Sequence, residues 1–261
     1  MLDALSPQRR RLVLSTLLGV ALLVVALIIV VAVRTIGSRA DPVPPGRPGP
    51  VLLVPGYGGR LASLAPIEAL LRDQGRDVVL VQPPGDGTGD LDDQAEHLAD
   101  VVDSTLQDSG APSVDVIGYS AGGVVARLWV REHGGAAQAR RVVTVGSPHH
   151  GSSQAALGAQ LGGGCPTACE QLVPDSDLLR RLNAGDETPD GPAWITVRTE
   201  SDEVVTPAGS AALDGALNLA VQDFCPGLAV SHSELPRDSV VAATLLSTLQ
   251  AGPPTRPGVA C

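Results

Sequence analysis

Six short runs rich in valine, isoleucine and leucine recur between residues 51 and 221, and stretches with helical periodicity separate most of them. This alternation is typical of parallel strands joined by crossover helices. Runs such as VLLV and VVTV are apolar at every position, which suits strands that are covered on both faces. The sequence therefore predicts an α/β fold with a mainly parallel six-stranded sheet and flanking helices.

The predicted strands are Val51–Val54, Asp77–Val81, Val114–Ile117, Val142–Val145, Trp194–Arg198 and Leu217–Val221. Helices are predicted near residues 61–74, 91–108, 121–133, 175–183 and 238–249. Apart from the fourth of these helices, residues 151–192 match neither period. An insertion of this kind between two strands is either a cap over a site or a long surface loop. We favour a short cap-like insertion.

Residues 12–33 form an uncharged apolar segment that follows Arg9, Arg10 and Arg11. At about 1.5 Å per helical residue it spans roughly 33 Å, the thickness of a bilayer core. The segment is longer than the apolar region of a cleavable signal peptide, and Arg34 interrupts the expected cleavage region. We therefore predict a single-pass anchor in the cell membrane. Residues 1–11 would be cytoplasmic and the rest extracellular, or secreted if the anchor is cleaved.

Residues 34–50 are predicted to be a linker, because residues 40–50 contain five prolines and two glycines. The folded domain is predicted over residues 51–261. It contains all four cysteines, Cys165, Cys169, Cys225 and Cys261. An even number of cysteines in an oxidising compartment favours disulfides, with three pairings open. A zinc site is disfavoured because no second close Cys or His pair accompanies CPTAC.

Composition excludes several function classes. All 18 basic residues are arginines, so chemistry that needs a lysine, such as Walker A loops and pyridoxal Schiff bases, is excluded. The net charge of −10 and the aromatic content of 2% argue against a nucleic-acid partner. The acidic residues Asp86, Asp90, Asp92 and Asp93 lack the spacing of a calcium loop and suit a helix N-terminus. No metal or cofactor is predicted.

The segment Gly118-Tyr119-Ser120-Ala121-Gly122 follows the third predicted strand and precedes a predicted helix. This is the G-x-S-x-G pattern of a nucleophile elbow, a strained turn that exposes a serine hydroxyl. Gly118 and Gly122 are expected because the turn brings strand and helix too close for side chains. Ser120 is therefore the candidate nucleophile.

Three further loops follow strands at the same predicted edge of the sheet. The first strand leads into PGYGG, where the Tyr57 amide could join the Ala121 amide as an oxyanion hole. Asp202 follows the fifth strand and His232 lies in the loop after the sixth. The order serine, acid, histidine is that of α/β-type hydrolases. Asp202 and His232 are therefore the candidate acid and base.

The other histidines and acids fit these two roles less well. His149 and His150 follow the fourth strand and are the main rivals of His232, but they precede the acid. His97 and His133 lie on predicted helices and have structural explanations. Among the acids, Glu200 would point away from its neighbours and Glu203 lies one step too far along. Two more acids, Asp175 and Asp177, lie in the insertion.

Five stretches together resemble the secreted and membrane-anchored lipases and esterases of the α/β-hydrolase superfamily, in the small form typical of actinobacteria. They are LLVPGYGG, VDVIGYSAGGVVARLWV, VVTVGSPHHGS, SDEVVTP and LNLAVQDFCPG with the following SH. The resemblance implies an α/β-hydrolase fold, with Ser120 as nucleophile, Asp202 as acid and His232 as base. Tyr119 departs from the histidine that more often precedes this serine.

The resemblance implies cleavage of carboxylic esters, including triacylglycerols or other lipid esters, through an acyl-enzyme. Two alternatives are open at this stage. One is an acyltransferase that acts on a lipid or sugar hydroxyl of the cell envelope. The other is a membrane-tethered scaffold that keeps the fold without catalysis.

Overall fold

The computed structural model describes residues 8, 16–25, 46–160, 164–258 and 261. The chain divides into two compact units, residues 1–40 and 41–261. In the first unit, residues 16–25 are helical, and the rest of the predicted membrane segment 12–33 lies outside the described residues. Within the described ranges, no helix has the length and apolar character needed to cross a membrane.

The described residues of the second unit include six strands that form one parallel sheet in the order β2-β1-β3-β4-β5-β6. The strands are β1 Val51–Val54, β2 Val78–Leu80, β3 Val114–Tyr119, β4 Ala139–Val145, β5 Ala193–Arg198 and β6 Leu217–Ala220. All six predicted strands are confirmed.

Helices cover both faces of the sheet. The α-helices of this unit are α1 Ala65–Asp73, α2 Leu91–Ser109, α3 Ala121–Glu132, α4 Ser153–Gln160, α5 Thr167–Gln171, α6 Asp177–Leu182 and α7 Ser239–Thr248. Successive strand residues face opposite sides: Leu52 packs in the core formed with α2 and α3, whereas Leu53 packs in the core formed with α1 and α7. The predicted flanking helices are confirmed.

The helix ends follow local capping chemistry. The Asp90 carboxylate accepts from the Asp92 amide at 2.8 Å and caps α2, which ends at Gly110 with φ +65°. Asp238 caps α7 in the same way. Part of the acidic cluster is thus explained by a helix N-terminus, as the sequence predicts.

The folded region begins earlier than the predicted linker boundary. Gly49 and Pro50 are buried, and the Pro50 carbonyl accepts from the Asp115 amide at 2.9 Å. A side chain on Gly49 would collide with the Ser113 carbonyl. Gly49 and Pro50, the last two residues of the predicted linker 34–50, thus pack against the folded unit, and residues 34–45 lie outside the described part of the chain.

The start of β4 carries an ion-pair cluster at the amino edge of the sheet. Asp115 is fully buried, and Arg140 Nε donates to its Oδ1 at 2.9 Å. Arg76 Nη2 donates to Oδ2 at 2.7 Å. Two arginines therefore neutralise one buried carboxylate. Because Arg140 and its neighbour Arg141 interrupt the apolar pattern, the predicted strand begins at Val142, three residues after the observed start of β4.

The described part of the insertion 151–192 contains three short helices, two more than predicted. It packs against α2 and α3: Leu178, Leu179 and Leu182 are buried in that core. The Arg127 guanidinium of α3 donates to Asn183 Oδ1 at 2.9 Å. At its start, the Ser153 amide donates to the Thr206 carbonyl at 2.9 Å, which ties the insertion to the loop after β5.

The structure resolves the open cysteine pairing. Cys165 bonds to Cys169 within the insertion, and Cys225 bonds to Cys261 across a separation of 36 residues. The second bond attaches the C-terminal segment to the loop that leads from β6 to His232.

Candidate active site

Ser120 lies in a strained turn between β3 and α3. Its backbone has φ +53°, a conformation that residues other than glycine rarely adopt. A Cβ on Gly118 would lie 2.5 Å from the Gly122 carbonyl oxygen, and a Cβ on Gly122 would lie 2.4 Å from the Val54 carbonyl oxygen. The close approach of the backbone at both positions therefore leaves no room for a side chain.

His232 lies between the serine and the carboxylate. His232 Nε2 is 3.1 Å from Ser120 Oγ, and His232 Nδ1 is 2.8 Å from Asp202 Oδ2. With the proton on Nδ1, the imidazole donates to the carboxylate and accepts from the serine hydroxyl. The structure thus brings together residues that are distant in sequence: Ser120 lies 112 positions before His232, and Asp202 lies 30 positions before it.

Asp202 is fixed by its own loop. Its Oδ1 accepts from the amides of Val204 at 2.9 Å and Val205 at 2.7 Å, which leaves Oδ2 for the imidazole. The Asp202 side chain is 2% exposed and the His232 side chain is 7% exposed. Because little water reaches the pair, the hydrogen bond between them holds the ring in one orientation.

Two backbone amides near Ser120 remain available. The amides of Tyr57 and Ala121 donate to no acceptor within the described chain, whereas the neighbouring Gly58 amide donates to the Gly87 carbonyl at 3.1 Å. Ala121 is the first residue of α3, where an amide has no partner within its helix. A Cβ on Gly56 would lie 2.9 Å from Ser120 Cβ, so the first-strand loop closely approaches the serine.

Tyr119 packs against His232. The two rings are stacked with centroids 5.2 Å apart, and the Tyr119 hydroxyl donates to the His232 carbonyl at 3.1 Å. Burial raises the pKa of Tyr119 to about 12, and the nearby carboxylates of Asp202 and Glu203 add to this shift. The phenol is therefore neutral at physiological pH and remains a donor.

The rival histidines make other contacts. His149 is fully buried, with Nε2 3.0 Å from Thr144 Oγ1, and burial holds the pKa of its imidazole well below the usual range. His150 Nε2 lies 2.7 Å from Glu187 Oε1. His133 Nε2 lies 2.9 Å from Asp92 Oδ1. Each of these rings has a structural partner away from Ser120.

The remaining candidate acids also lie apart from the imidazole nitrogens. Glu200 pairs with Arg198 at 2.9 Å, and Asp177 pairs with Arg180 in the insertion. Glu203 contacts the main chain of His232, where its Oε2 accepts from the amide at 3.0 Å. In the described part of the chain, no three His, Cys, Asp or Glu side chains are grouped to hold a metal ion.

Sequence reasoning missed the structural contributions of Gly56, Gly146 and Glu203. Gly146 follows β4, and a Cβ there would lie 3.2 Å from His232 Cε1. Gly56 and Gly146 follow β1 and β4 at the edge of the sheet where Ser120 lies. Their positions just after predicted strands are a sequence signal that could have indicated their contribution to the site. The Glu203 contact depends on loop conformation between β6 and His232 and has no local sequence signal.

Comparison with known proteins places this arrangement in context. Residues 49–161 match the family described as alpha/beta hydrolase fold. The Aspergillus fumigatus lipase B structure is 19% identical with a TM-score of 0.66, and the match covers 80% of this chain and 54% of that one. The mature Bacillus licheniformis lipase BlEst2 is 18% identical with a TM-score of 0.65, covering 81% of this chain and 95% of that one.

This chain therefore has the α/β-hydrolase fold, with a parallel six-stranded sheet and flanking helices. It spans about half the length of the Aspergillus structure that it resembles.

Proposed function

We propose that this protein is a serine hydrolase that cleaves carboxylic esters through an acyl-enzyme on Ser120. The observation that carries the proposal is the hydrogen-bonded series from Ser120 through His232 to Asp202. Such a series activates a serine hydroxyl, because the imidazole takes its proton while the carboxylate stabilises the resulting imidazolium.

In the first half-reaction, Ser120 Oγ attacks the ester carbonyl carbon and its proton passes to His232 Nε2. The oxyanion that forms accepts from the amides of Tyr57 and Ala121. The bond from the carbonyl carbon to the alcohol oxygen then breaks, and the alcohol leaves with the proton from His232. Water repeats these steps on the acyl-enzyme and releases the acid.

The exposed apolar side chains favour a substrate whose acyl group is apolar. Outside residues 16–25, the large hydrophobic side chains that are exposed in the described chain are Tyr57, Leu157, Val204 and Leu228. Tyr57, Val204 and Leu228 lie in the segments that follow β1, β5 and β6, and Leu157 lies on α4 in the insertion that follows β4. Apolar surface around a polar centre is typical of sites that bind an apolar ligand with one reactive group. Lipid esters are therefore the proposed substrate class.

The location of the enzyme is part of the same proposal. The two disulfides favour an oxidising compartment. We propose that residues 12–33 anchor the chain in the cell membrane and that the hydrolase unit lies outside the cell, where the insertion 151–192 borders the acyl site as a cap.

The test is hydrolysis of p-nitrophenyl esters of increasing chain length by the full-length protein purified in a mild non-ionic detergent. The proposal predicts activity that increases from acetate to longer acyl chains and disappears in Ser120→Ala. Ser63→Ala is the matched control, because Ser63 is a half-buried serine whose hydroxyl donates to the Arg60 carbonyl at 2.6 Å within its own turn. Activity that survives in Ser120→Ala, or a folded protein inactive on every ester, would contradict the proposal.

A further inference from the structure

The backbone of His232 is held at both of its polar groups by side chains from two other loops. The Tyr119 hydroxyl donates to the His232 carbonyl at 3.1 Å. The Glu203 carboxylate accepts from the His232 amide at 3.0 Å. Tyr119 directly precedes Ser120, and Glu203 directly follows Asp202. The neighbours of the proposed nucleophile and the proposed acid therefore both hold the proposed base.

The imidazole itself is held by the Tyr119 ring. The two rings are stacked with an angle of 29° between their planes, and Tyr119 is 8% exposed. Aromatic contact of this kind restricts the rotation of the smaller ring. Gly146 leaves the room that this ring needs, because a Cβ there would lie 3.2 Å from both His232 Cε1 and His232 Nδ1.

The position of His232 in the chain makes such contacts important. The residues from 226 to 229, shortly before it, are exposed, and His232 begins a 3-10 helix of six residues, His232–Arg237. Leu235 and Pro236 anchor this short helix in the core, while His232, its first residue, follows the exposed loop. Side chains from other loops that bond to the His232 main chain therefore add to the contacts that set its position. A misplacement of about 1 Å at a reacting group can cost about 100-fold in rate.

We propose that Tyr119 and Glu203 form a positioning pair for His232, called here the His232 clamp. This inference rests on the proposed function. Neither residue is required to touch the ester. The clamp holds the imidazole where Nε2 can take the Ser120 proton. Loss of the clamp should therefore lower kcat and leave KM nearly unchanged, because the substrate contacts remain.

The test begins with Tyr119→Phe in the full-length protein, because this change keeps the ring and removes only the hydroxyl donor. We expect kcat for a p-nitrophenyl ester to fall about tenfold with KM within about twofold. Tyr119→Leu removes the stacked ring as well, and kcat should fall about 100-fold. A thermal unfolding midpoint for each variant separates slow catalysis from partial unfolding.

Glu203 supplies the second arm of the test. Glu203→Ala removes the acceptor and should lower kcat about threefold to tenfold, whereas Glu203→Gln keeps an acceptor oxygen and should restore the wild-type value within about twofold. Glu200→Ala is the matched control, because Glu200 lies on the same loop and pairs with Arg198 instead. It should leave kcat unchanged.

Two kinetic results would overturn the clamp. One is a wild-type kcat in both Tyr119→Phe and Glu203→Ala. The other is a Glu203→Gln variant as slow as Glu203→Ala, since the acceptor would then not be the cause.

Hydrogen exchange at the His232 backbone amide tests the same contact without a substrate. Exchange should be faster in Glu203→Ala than in the wild type and unchanged in Glu203→Gln and Glu200→Ala. A wild-type protein that neither hydrolyses esters nor reacts at Ser120 would contradict the proposed function alone. Equal exchange rates in Glu203→Ala and the wild type would contradict the clamp alone.

Discussion

Two buried carboxylates lie at opposite edges of the same sheet, and they differ in their partners. Asp115, at the amino edge, is bound by the guanidinium groups of Arg76 and Arg140. Asp202, at the carboxyl edge, is bound by two backbone amides and by the imidazole of His232. Both side chains are almost fully buried, at 0% and 2% exposed.

The difference lies in what the partner can do next. Arginine keeps its proton at any physiological pH, so the Asp115 cluster is a fixed group of three charges with a structural role. Histidine can gain and lose a proton, and its second nitrogen lies 3.1 Å from the Ser120 hydroxyl. The same kind of buried acid therefore has a structural role at one edge and, under the proposed function, a role in proton transfer at the other.

The largest effect is expected from Asp202→Asn. An amide in place of the carboxylate favours the wrong imidazole tautomer, so kcat for ester hydrolysis should fall about 10⁴-fold. The unfolding midpoint should change far less than the rate. Steady-state kinetics beside thermal unfolding measures both. An activity within tenfold of the wild type would remove the distinction between the two carboxylates.

Asp115→Asn should give the reverse pattern. The buried guanidinium of Arg140 and the partly exposed one of Arg76 would lose their carboxylate, and the free energy of unfolding should fall by about 3–5 kcal/mol. Denaturant unfolding measures this change, with the exposed Asp108→Asn on α2 as a matched control. The folded fraction should keep its wild-type kcat. A loss of kcat without a loss of stability would mean that the amino edge contributes to the chemistry.

The two disulfides sharpen the comparison between the His232 loop and the insertion. Replacing Cys225 and Cys261 by serine removes a bond between residues 36 positions apart. The free energy of unfolding should fall by about 4 kcal/mol, because the unfolded chain gains conformational entropy. The same replacement of Cys165 and Cys169, four residues apart, should cost about 2 kcal/mol. Activity should fall only in the first double variant, because its disulfide fastens the loop before His232.

The smallest effect concerns His149, a second buried imidazole. Burial keeps its pKa well below 6.5, so below that pH the unfolded chain binds a proton that the folded chain does not. Stability should therefore fall as the pH drops below about 6.5, by up to about 1.4 kcal/mol per pH unit. His149→Gln should flatten this slope, whereas His150→Gln should change it less. Urea unfolding between pH 5 and 8 measures both, and equal slopes in the two variants would contradict the burial argument.

The fold was predictable because its signals are local. Strands such as Val51–Val54 are uniformly apolar, and Gly118 and Gly122 mark the strained turn around Ser120. The start of β4 was not predictable, since Arg140 is buried only through its bond to a distant aspartate. Helix α4 was missed because it buries no residue and, apart from the exposed Leu157, consists of small and polar side chains.

The candidate site was predictable in its three main residues and not in their support. The order of serine, acid and histidine after successive strands pointed to Ser120, Asp202 and His232. The contacts of Tyr119 and Glu203 with His232 span 113 and 29 residues, and they depend on loop conformations that no periodicity encodes. Tyr119 was visible only as a departure from the histidine expected before the serine.

Covalent labelling of Ser120 tests the central claim most directly. The full-length protein is treated with an alkyl phosphonate, and intact mass spectrometry follows the rate and the number of adducts, with Ser120→Ala and His232→Ala beside it. The account predicts one adduct on Ser120 in the wild type, none in Ser120→Ala, and labelling slowed at least about 1,000-fold in His232→Ala. A folded wild-type protein without an adduct, or one labelled equally fast without His232, would contradict it.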